Sequence, residues 1–472
     1  MPKCLLFYFG GKEEVYMDKL HEECGVFGIV SNDDIDVASD IGYGLIALQH
    51  RGQESAGIVV CDTKGPLGNI CIHRGMGLVS EVFDKHAMST LRGNIGIGHV
   101  RYSTTGESRV ENAQPVFLNY LKGTLALAHN GNIINADNIR QELISCGAKF
   151  SGTTDSEVIA YKIAVERLNS NSIEEAVIKV AKSLKGGYAL LILSPQKLVG
   201  VRDPLGLKPL CLGKRGDDYI LASESAAIIS VGGEILRDIE PGEIVTISEG
   251  KIESDYSLRQ EKRAHCIFEY IYFARQDSVM DGISVHTARL KGGAAIARRF
   301  PVEADIVTGV PESGIPAAVG YAEESGIPFK LAFYKNSYVG RTFIKPTQKE
   351  RKSAVAMKLS LIENVVKDKR VVLIDDSIVR GTTISNLINM MRKAGAREVH
   401  VRISSPPFLY PCYYGTDVPD NSELIANKLT KDEICRFIGA DSLEYMEVDD
   451  LHKMTGDLPL CRACFDNSYP VI

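Results

Sequence analysis

The stretch that most constrains this chain is Val371 to Thr383, VVLIDDSIVRGTT, in which four apolar residues lead into two adjacent acids and a small turn rich in hydroxyls. Val371, Val372, Leu373 and Ile374 show no polar alternation and read as a strand buried on both faces, while Ile384, Leu387, Ile388 and Met391 predict a helix starting after Gly381. The turn therefore falls at a helix N-terminus. There, free N–H groups and the positive end of the helix dipole favour an anion, and the hydroxyls of Ser377, Thr382 and Thr383 add donors. Gly381 lets the backbone come close to a ligand. Asp375 and Asp376 end the strand, where they can accept hydrogen bonds from vicinal ribose hydroxyls or help to hold Mg²⁺. A simple helix cap needs one acid and no hydroxyl run. The implied ligand is a phosphorylated sugar.

This run resembles the signature of the type I phosphoribosyltransferases. The resemblance implies that 5-phosphoribosyl-1-pyrophosphate (PRPP) is bound by Asp375, Asp376, Ser377, Arg380, Gly381, Thr382 and Thr383, with its 5′-phosphate on the loop. Upstream, Asp305 to Gly314, DIVTGVPESG, is another strand ending in a small-residue turn, suited to pyrophosphate and its magnesium, so Ser313, Asp375 and Asp376 are expected around one Mg²⁺. Between the two, Lys335 to Ile344 reads as a loop. Arg341, Lys345, Lys349, Arg351 and Lys358 cluster where a lid would close over a polyphosphate and exclude water, with Arg341 and Lys358 expected to bind PRPP.

Near the other end, Cys24 heads the apolar, glycine-spaced run Cys24 to Ile29. Its company is His50 to Gly57, HRGQESAG; Gly98 to Thr104, GHVRYST; His129 to Asn132, HNGN; and Thr153 to Glu157, TTDSE. In order and spacing these resemble the glutaminase domain of the N-terminal-nucleophile amidotransferases. The resemblance implies that Cys24 attacks the amide carbon of glutamine and that its own α-amine, with an ordinary pKa of about 7.7 to 8, acts as the base. It also implies an oxyanion held by Asn130 and the Gly131 N–H, typically about 3 to 4 kcal/mol per donor. Arg101 would pair with the α-carboxylate and Asp155 with the α-ammonium. An α-amine can serve only if Cys24 is the first residue, so residues 1–23 are expected to be a propeptide removed by autocatalysis. With only Lys3 ahead of the apolar Leu5 to Phe9, that leader is poorly framed as a secretory signal.

The chain has 11 cysteines spread over 472 residues, with no signal peptide or membrane-spanning run, which favours a reducing cytoplasm over a disulfide framework. Cys461 and Cys464 form a CxxC pair whose spacing alone leaves zinc, a redox dithiol and an iron–sulfur cluster open. Both matched motif sets together resemble the amidophosphoribosyltransferase family from about Cys24 to the C-terminus. One branch of that family carries a [4Fe–4S] cluster, and the resemblance implies Cys266, Cys412, Cys461 and Cys464 as its ligands, in a structural role. Cys4, Cys61, Cys71, Cys146, Cys211 and Cys435 are left as ordinary thiols. Gln276 stands where the family usually has proline and His286 where tyrosine is common, so contacts there are expected to differ.

The composition, 44% hydrophobic and 24% charged with a net charge of −6 and no tryptophan, gives no support to nucleic-acid or membrane binding. The expected fold class is α/β: an αββα glutaminase domain over 24–255, then a type I phosphoribosyltransferase parallel-sheet domain over 256–472 with a helical tail. Helical stretches are expected around Ile133 to Cys146, Asp155 to Ala181, Asn421 to Ile438 and Asp449 to Met454. Two sites on one chain imply that ammonia freed at Cys24 displaces pyrophosphate from C1 of PRPP, giving 5-phosphoribosylamine, the first committed step of purine synthesis. The resemblance further implies feedback inhibition by purine nucleotides and a homotetramer. A synthase that aminates another sugar phosphate conflicts with the Asp375 loop. A non-catalytic nucleotide sensor leaves Cys24 and the glutamine clamp without a use.

Overall fold

The computed structural model describes residues 24–33, 35–64, 70–102, 108–336, 359–416, 418 and 422–471. The expected propeptide, Arg341, Lys345, Lys349, Arg351 and Lys358 lie outside them.

Alternation of apolar and small residues builds two face-to-face sheets in the first half. One sheet has seven strands, ordered Glu234–Asp238, Cys211–Arg215, Asp218–Ala222, Gly25–Val30, Ile95–Arg101, Ser55–Cys61 and Ile70–Met76. The other has six, ordered Lys251–Asp255, Ile244–Ser248, Lys197–Arg202, Gly186–Ser194, Gly123–Ile133 and Val116–Tyr120. Successive residues of Gly25–Val30 point to opposite cores: Val26 and Val30 meet Ala126, Ala128 and Leu191 between the sheets, whereas Phe27 and Ile29 meet Ile41 and Leu45 of the helix Ala38–Ala47. On the far side, Leu125, Leu127 and Leu190 pack under the helices Ala136–Ser145, Asp155–Leu168 and Ile173–Ala181. The result is the expected αββα sandwich. One expected helix is split, because Ser172 caps a new helix by accepting from the Glu175 amide at 3.2 Å.

In the second half the apolar strands Ile306–Gly309, Arg370–Asp375, Glu398–Ile403 and Ser442–Tyr445 pair in parallel in that order. Helices Val285–Arg299, Gly314–Ser325 and Thr382–Lys393 supply side chains to the cores flanking this sheet. The tail differs from expectation in two ways. The long helix shortens to Lys431–Ile438, set by a capping box between Thr430 and Glu433, and Ser442–Tyr445 joins the sheet as its fourth strand. Among the described residues no helix is long and apolar enough to cross a membrane.

Charged networks join the halves. Arg51, about 1% exposed, bonds Glu224 of the first half and Glu269 of the second, with Nη1 to Glu269 Oε1 at 3.2 Å. Glu224 also accepts from the Arg275 amide at 2.9 Å and from Ser278 Oγ at 2.6 Å. Arg202 makes a bidentate pair with Asp281 at 2.7 and 2.9 Å, and His265 Nδ1 lies 3.0 Å from the same carboxylate. The Gln276 carbonyl accepts from the His286 amide at 3.0 Å, so the two unusual residues at the junction meet through the backbone.

Candidate active sites

Cys24 immediately precedes the strand Gly25–Val30 and is 7% exposed, with its thiol donating to the Tyr102 carbonyl at 3.4 Å. Gly25 pairs with Val100 of the neighbouring strand, so Arg101 and Tyr102 are delivered beside Cys24 by strand register. Arg101 is buried, and its Nη1 contacts Glu54 Oε1 at 2.5 Å. Glu54, inside the HRGQESAG run, was not singled out as a partner for Arg101.

Asn130 and Gly131 lie on Gly123–Ile133, paired with Ala189 and Tyr188. Among the described residues neither the amide nitrogen nor the oxygen of Asn130 has a hydrogen-bond partner, although the side chain is fully buried. An unmet buried amide ordinarily costs about 1 to 3 kcal/mol, so a ligand oxygen is its natural complement. Gly131 is fixed as glycine: its φ is +132°, and a Cβ would sit 2.1 Å from the Gly187 carbonyl oxygen. Asp155 opens the helix Asp155–Leu168, accepts from the Ile133 amide at 3.1 Å and lies 3.6 Å from His129 Nδ1. Burial alone would raise its pKa, but the His129 ring and the Ile133 and Ser156 amides hold the carboxyl below the ordinary range. His129 therefore steadies Asp155, a role sequence reading did not assign.

The second site sits at the carboxyl ends of the parallel strands. Asp375 and Asp376 are 3% and 2% exposed, and the Asp376 amide donates to Asp375 Oδ1 at 3.0 Å. Asp376 also accepts from Ser313 Oγ at 2.5 Å and from Ser377 Oγ at 2.6 Å, which brings the two expected motifs together at one carboxylate. Gly381 has a φ of +83° and caps Thr382–Lys393, so Thr382 and Thr383 occupy its first turn, with Thr382 exposed. Arg380 turns towards Glu423, with Nε 3.1 Å from its carboxylate. Behind the acids, Arg289 donates to the carbonyls of Tyr270, Tyr272 and Ala274 at 2.8 to 3.0 Å, tying down the π-helix Glu269–Phe273. Burial pushes its guanidinium down to about 10, partly offset by the Asp376 charge. Arg289 carried no local sequence signal.

Two acids and a serine do not make a closed cage: among the described residues no group of three or more His, Cys, Asp or Glu side chains is drawn together tightly enough to hold a metal. Two adjacent carboxylates with a serine hydroxyl are a donor set of the kind that Mg²⁺ takes together with substrate phosphates.

The four expected cluster cysteines line one cavity, together with Lys208 and Tyr414. Cys266 pairs with Cys461 across a short parallel bridge, and the Cys412 sulfur accepts from the Tyr414 amide at 3.4 Å. Burial pushes the Cys461 thiol up to about 12 and that of Cys464 well above its ordinary value. Thiols in such a place stay neutral until a cationic centre stabilises their thiolates. Four thiols lining one cavity are a donor set that suits zinc or an iron–sulfur cluster.

Two family models match the chain, a glutamine amidotransferase domain over residues 99–230 and a phosphoribosyl transferase domain over 292–404. The amidophosphoribosyltransferase of Methanocaldococcus jannaschii is 47% identical over 95% of this chain and 97% of its own length. That of Bacillus subtilis is 46% identical over 96% and 94%. A solved B. subtilis glutamine PRPP amidotransferase complexed with ADP and GMP superposes with a TM-score of 0.88 at 45% identity, covering 95% of this chain and 98% of the other. With both domain types present and near-complete coverage by these relatives, the chain belongs to the amidophosphoribosyltransferase family.

Proposed function

We propose that this protein hydrolyses glutamine at Cys24 and delivers the ammonia to C1 of PRPP, giving 5-phosphoribosylamine, pyrophosphate and glutamate at the entry to purine synthesis. The observation that carries the reading is the pairing, on one chain, of a buried Cys24 and an unmet, fully buried Asn130 amide with two buried acids and a hydroxyl turn at a helix N-terminus.

In the first half, removal of residues 1–23 would free the Cys24 α-amine to take the thiol proton. The thiolate then attacks the amide carbon, Asn130 and the Gly131 N–H hold the oxyanion, and the amine returns the proton to the leaving ammonia. Water hydrolyses the resulting thioester to glutamate. Arg101 and Asp155 would hold the two charged ends of glutamine, Arg101 alongside its Glu54 partner. In the second half Asp375 and Asp376 would grip the ribose hydroxyls, while Ser377, Gly381, Thr382 and Thr383 cradle the 5′-phosphate, with Arg380, Arg341 and Lys358 as further contacts. Mg²⁺, when bound near Ser313, Asp375 and Asp376, neutralises charge on the departing pyrophosphate.

A [4Fe–4S] cluster on Cys266, Cys412, Cys461 and Cys464 would staple the junction to the C-terminal segment. Domain limits at 24–255 and 256–472, a cytoplasmic location, inhibition by purine nucleotides and a homotetramer belong to the same reading. Support for nucleotide control is the ADP and GMP of the superposable B. subtilis enzyme.

The test is anaerobic protein supplied with PRPP, Mg²⁺ and glutamine, with pyrophosphate and glutamate counted together. Equal yields are expected. Glutamate without PRPP-dependent pyrophosphate would assign the ammonia to another acceptor.

A further inference from the structure

The oxyanion strand is touched by a segment of chain from the other half. Asn132 Nδ2 donates to the Tyr413 carbonyl at 2.9 Å. A Cβ at Gly415 would lie 3.0 Å from the Gly131 carbonyl carbon and 3.2 Å from its Cα, and the φ of +109° at Gly415 is one that glycine tolerates best. Between them Tyr414 is 3% exposed, its hydroxyl bonds the Val471 carbonyl, and its Cβ packs over Gly187. Gly187 is the residue whose carbonyl presses on Gly131 from the neighbouring strand. The Gly131 backbone is thus gripped from two sides, by its sheet partner and by Tyr413 to Gly415.

We infer that the segment Tyr413 to Gly415 positions the oxyanion donors, with Gly415 and Asn132 as positioning residues for glutamine hydrolysis. The inference rests on Asn130 and Gly131 holding the oxyanion. Because the Asn130 amide has no protein partner among the described residues, its aim is set by the backbone that carries it, and that backbone is what the brace fixes. Oxyanion contacts count in the transition state and degrade with displacements of a fraction of an ångström. A role as mere glue between the halves is already filled by the buried Arg51 and Arg202 networks, whereas this contact falls on the donor residue itself. Cys412, one residue before the brace, lines the thiol cavity, so the brace is rooted there.

The test uses the full processed protein and the variants Gly415→Ala and Asn132→Ala. Three quantities are read: glutamine kinetics, pyrophosphate formation from PRPP with external ammonia, and binding of two ligands. Glutamate γ-semialdehyde adds to the Cys24 thiol and places an oxygen where the oxyanion forms, while glutamate reports the clamp alone. For Gly415→Ala the expected result is a kcat with glutamine lowered on the order of tenfold or more, short of the about 10²- to 10³-fold seen when a whole donor is removed. Aldehyde affinity should fall in parallel, with KM for glutamine, glutamate affinity and the ammonia rate within about twofold of the parent. Asn132→Ala, which removes the exposed hydrogen bond to the Tyr413 carbonyl, should move the same quantities less. Parallel loss of the glutamine and ammonia rates, or weakened glutamate binding with kcat intact, would overturn the inference, as would unchanged aldehyde affinity in both variants. A parent enzyme that makes no pyrophosphate from glutamine and PRPP would instead overturn the proposed function.

Discussion

The two candidate sites are finished to different degrees. At the glutamine site Cys24, Arg101, Asn130 and Asp155 are all less than one-tenth exposed, and strand register and helix capping hold each in place. At the phosphoribosyl site the acids are equally buried, but Thr382 is exposed and Arg380 faces Glu423. The difference follows the substrates. Glutamine is small and carries no net charge, and its hydrolysis develops a single oxyanion that neutral donors stabilise best away from water. PRPP is a polyanion and must release pyrophosphate, and the loop proposed to hold it presents an exposed Thr382 at a helix N-terminus.

The largest effect expected from this contrast is at Cys24. Replacement by alanine should lower glutamine-driven turnover by at least about 10³-fold, because the proposed thioester forms on the Cys24 sulfur. Pyrophosphate formation with external ammonia should stay within about twofold. Loss of both activities in a folded variant would break the separation of the two sites. Next is Asp376→Asn, which keeps the shape but removes the charge that accepts from Ser313 and Ser377. Turnover with glutamine and with ammonia should fall together, by about 10²-fold, equivalent to about 2.7 kcal/mol. An ammonia rate that survives this change would remove Asp376 from the PRPP site.

How far each site was legible depended on how local it is. The phosphate loop was readable because its strand, acids, hydroxyls, glycine and helix follow one another within Val371 to Met391. The glutamine residues were found as separate short runs whose convergence the sandwich supplies. The residues that support them were not found. Arg51 reaches a partner 173 positions away and another 218 away, and Arg289 grips carbonyls of a π-helix, an element with no periodic signature. Charged residues destined for burial look like solvated ones until the fold pairs them. The strand Ser442–Tyr445 was missed for a similar reason, since four residues beside a well-capped helix give too short an alternation to read.

The smallest of these effects concerns His99, and it follows from how completely the glutamine site is enclosed. His99 is fully buried, its Nε2 lies 2.9 Å from the His129 carbonyl, and its Nδ1 has no partner among the described residues. With Nε2–H donating to the carbonyl, protonation would bury an unpaired N–H bearing charge beside Arg101 and His129. Burial, aided by those neighbours, accordingly pushes the pKa down to about 3. In the unfolded chain the same ring titrates near about 6.5, so between these values the unfolded state binds the extra proton. Stability is therefore complete above about pH 6.5 and falls as the pH drops, by about 1.4 kcal/mol per unit or about 2 kcal/mol between pH 6.5 and 5. Denaturant unfolding of the parent and of His99→Gln at pH 7.5 and 5 would measure it. The variant should lose less stability than the parent on acidification, by about that amount. Equal slopes would mean that water reaches His99 and that the glutamine site is less enclosed than its burial indicates.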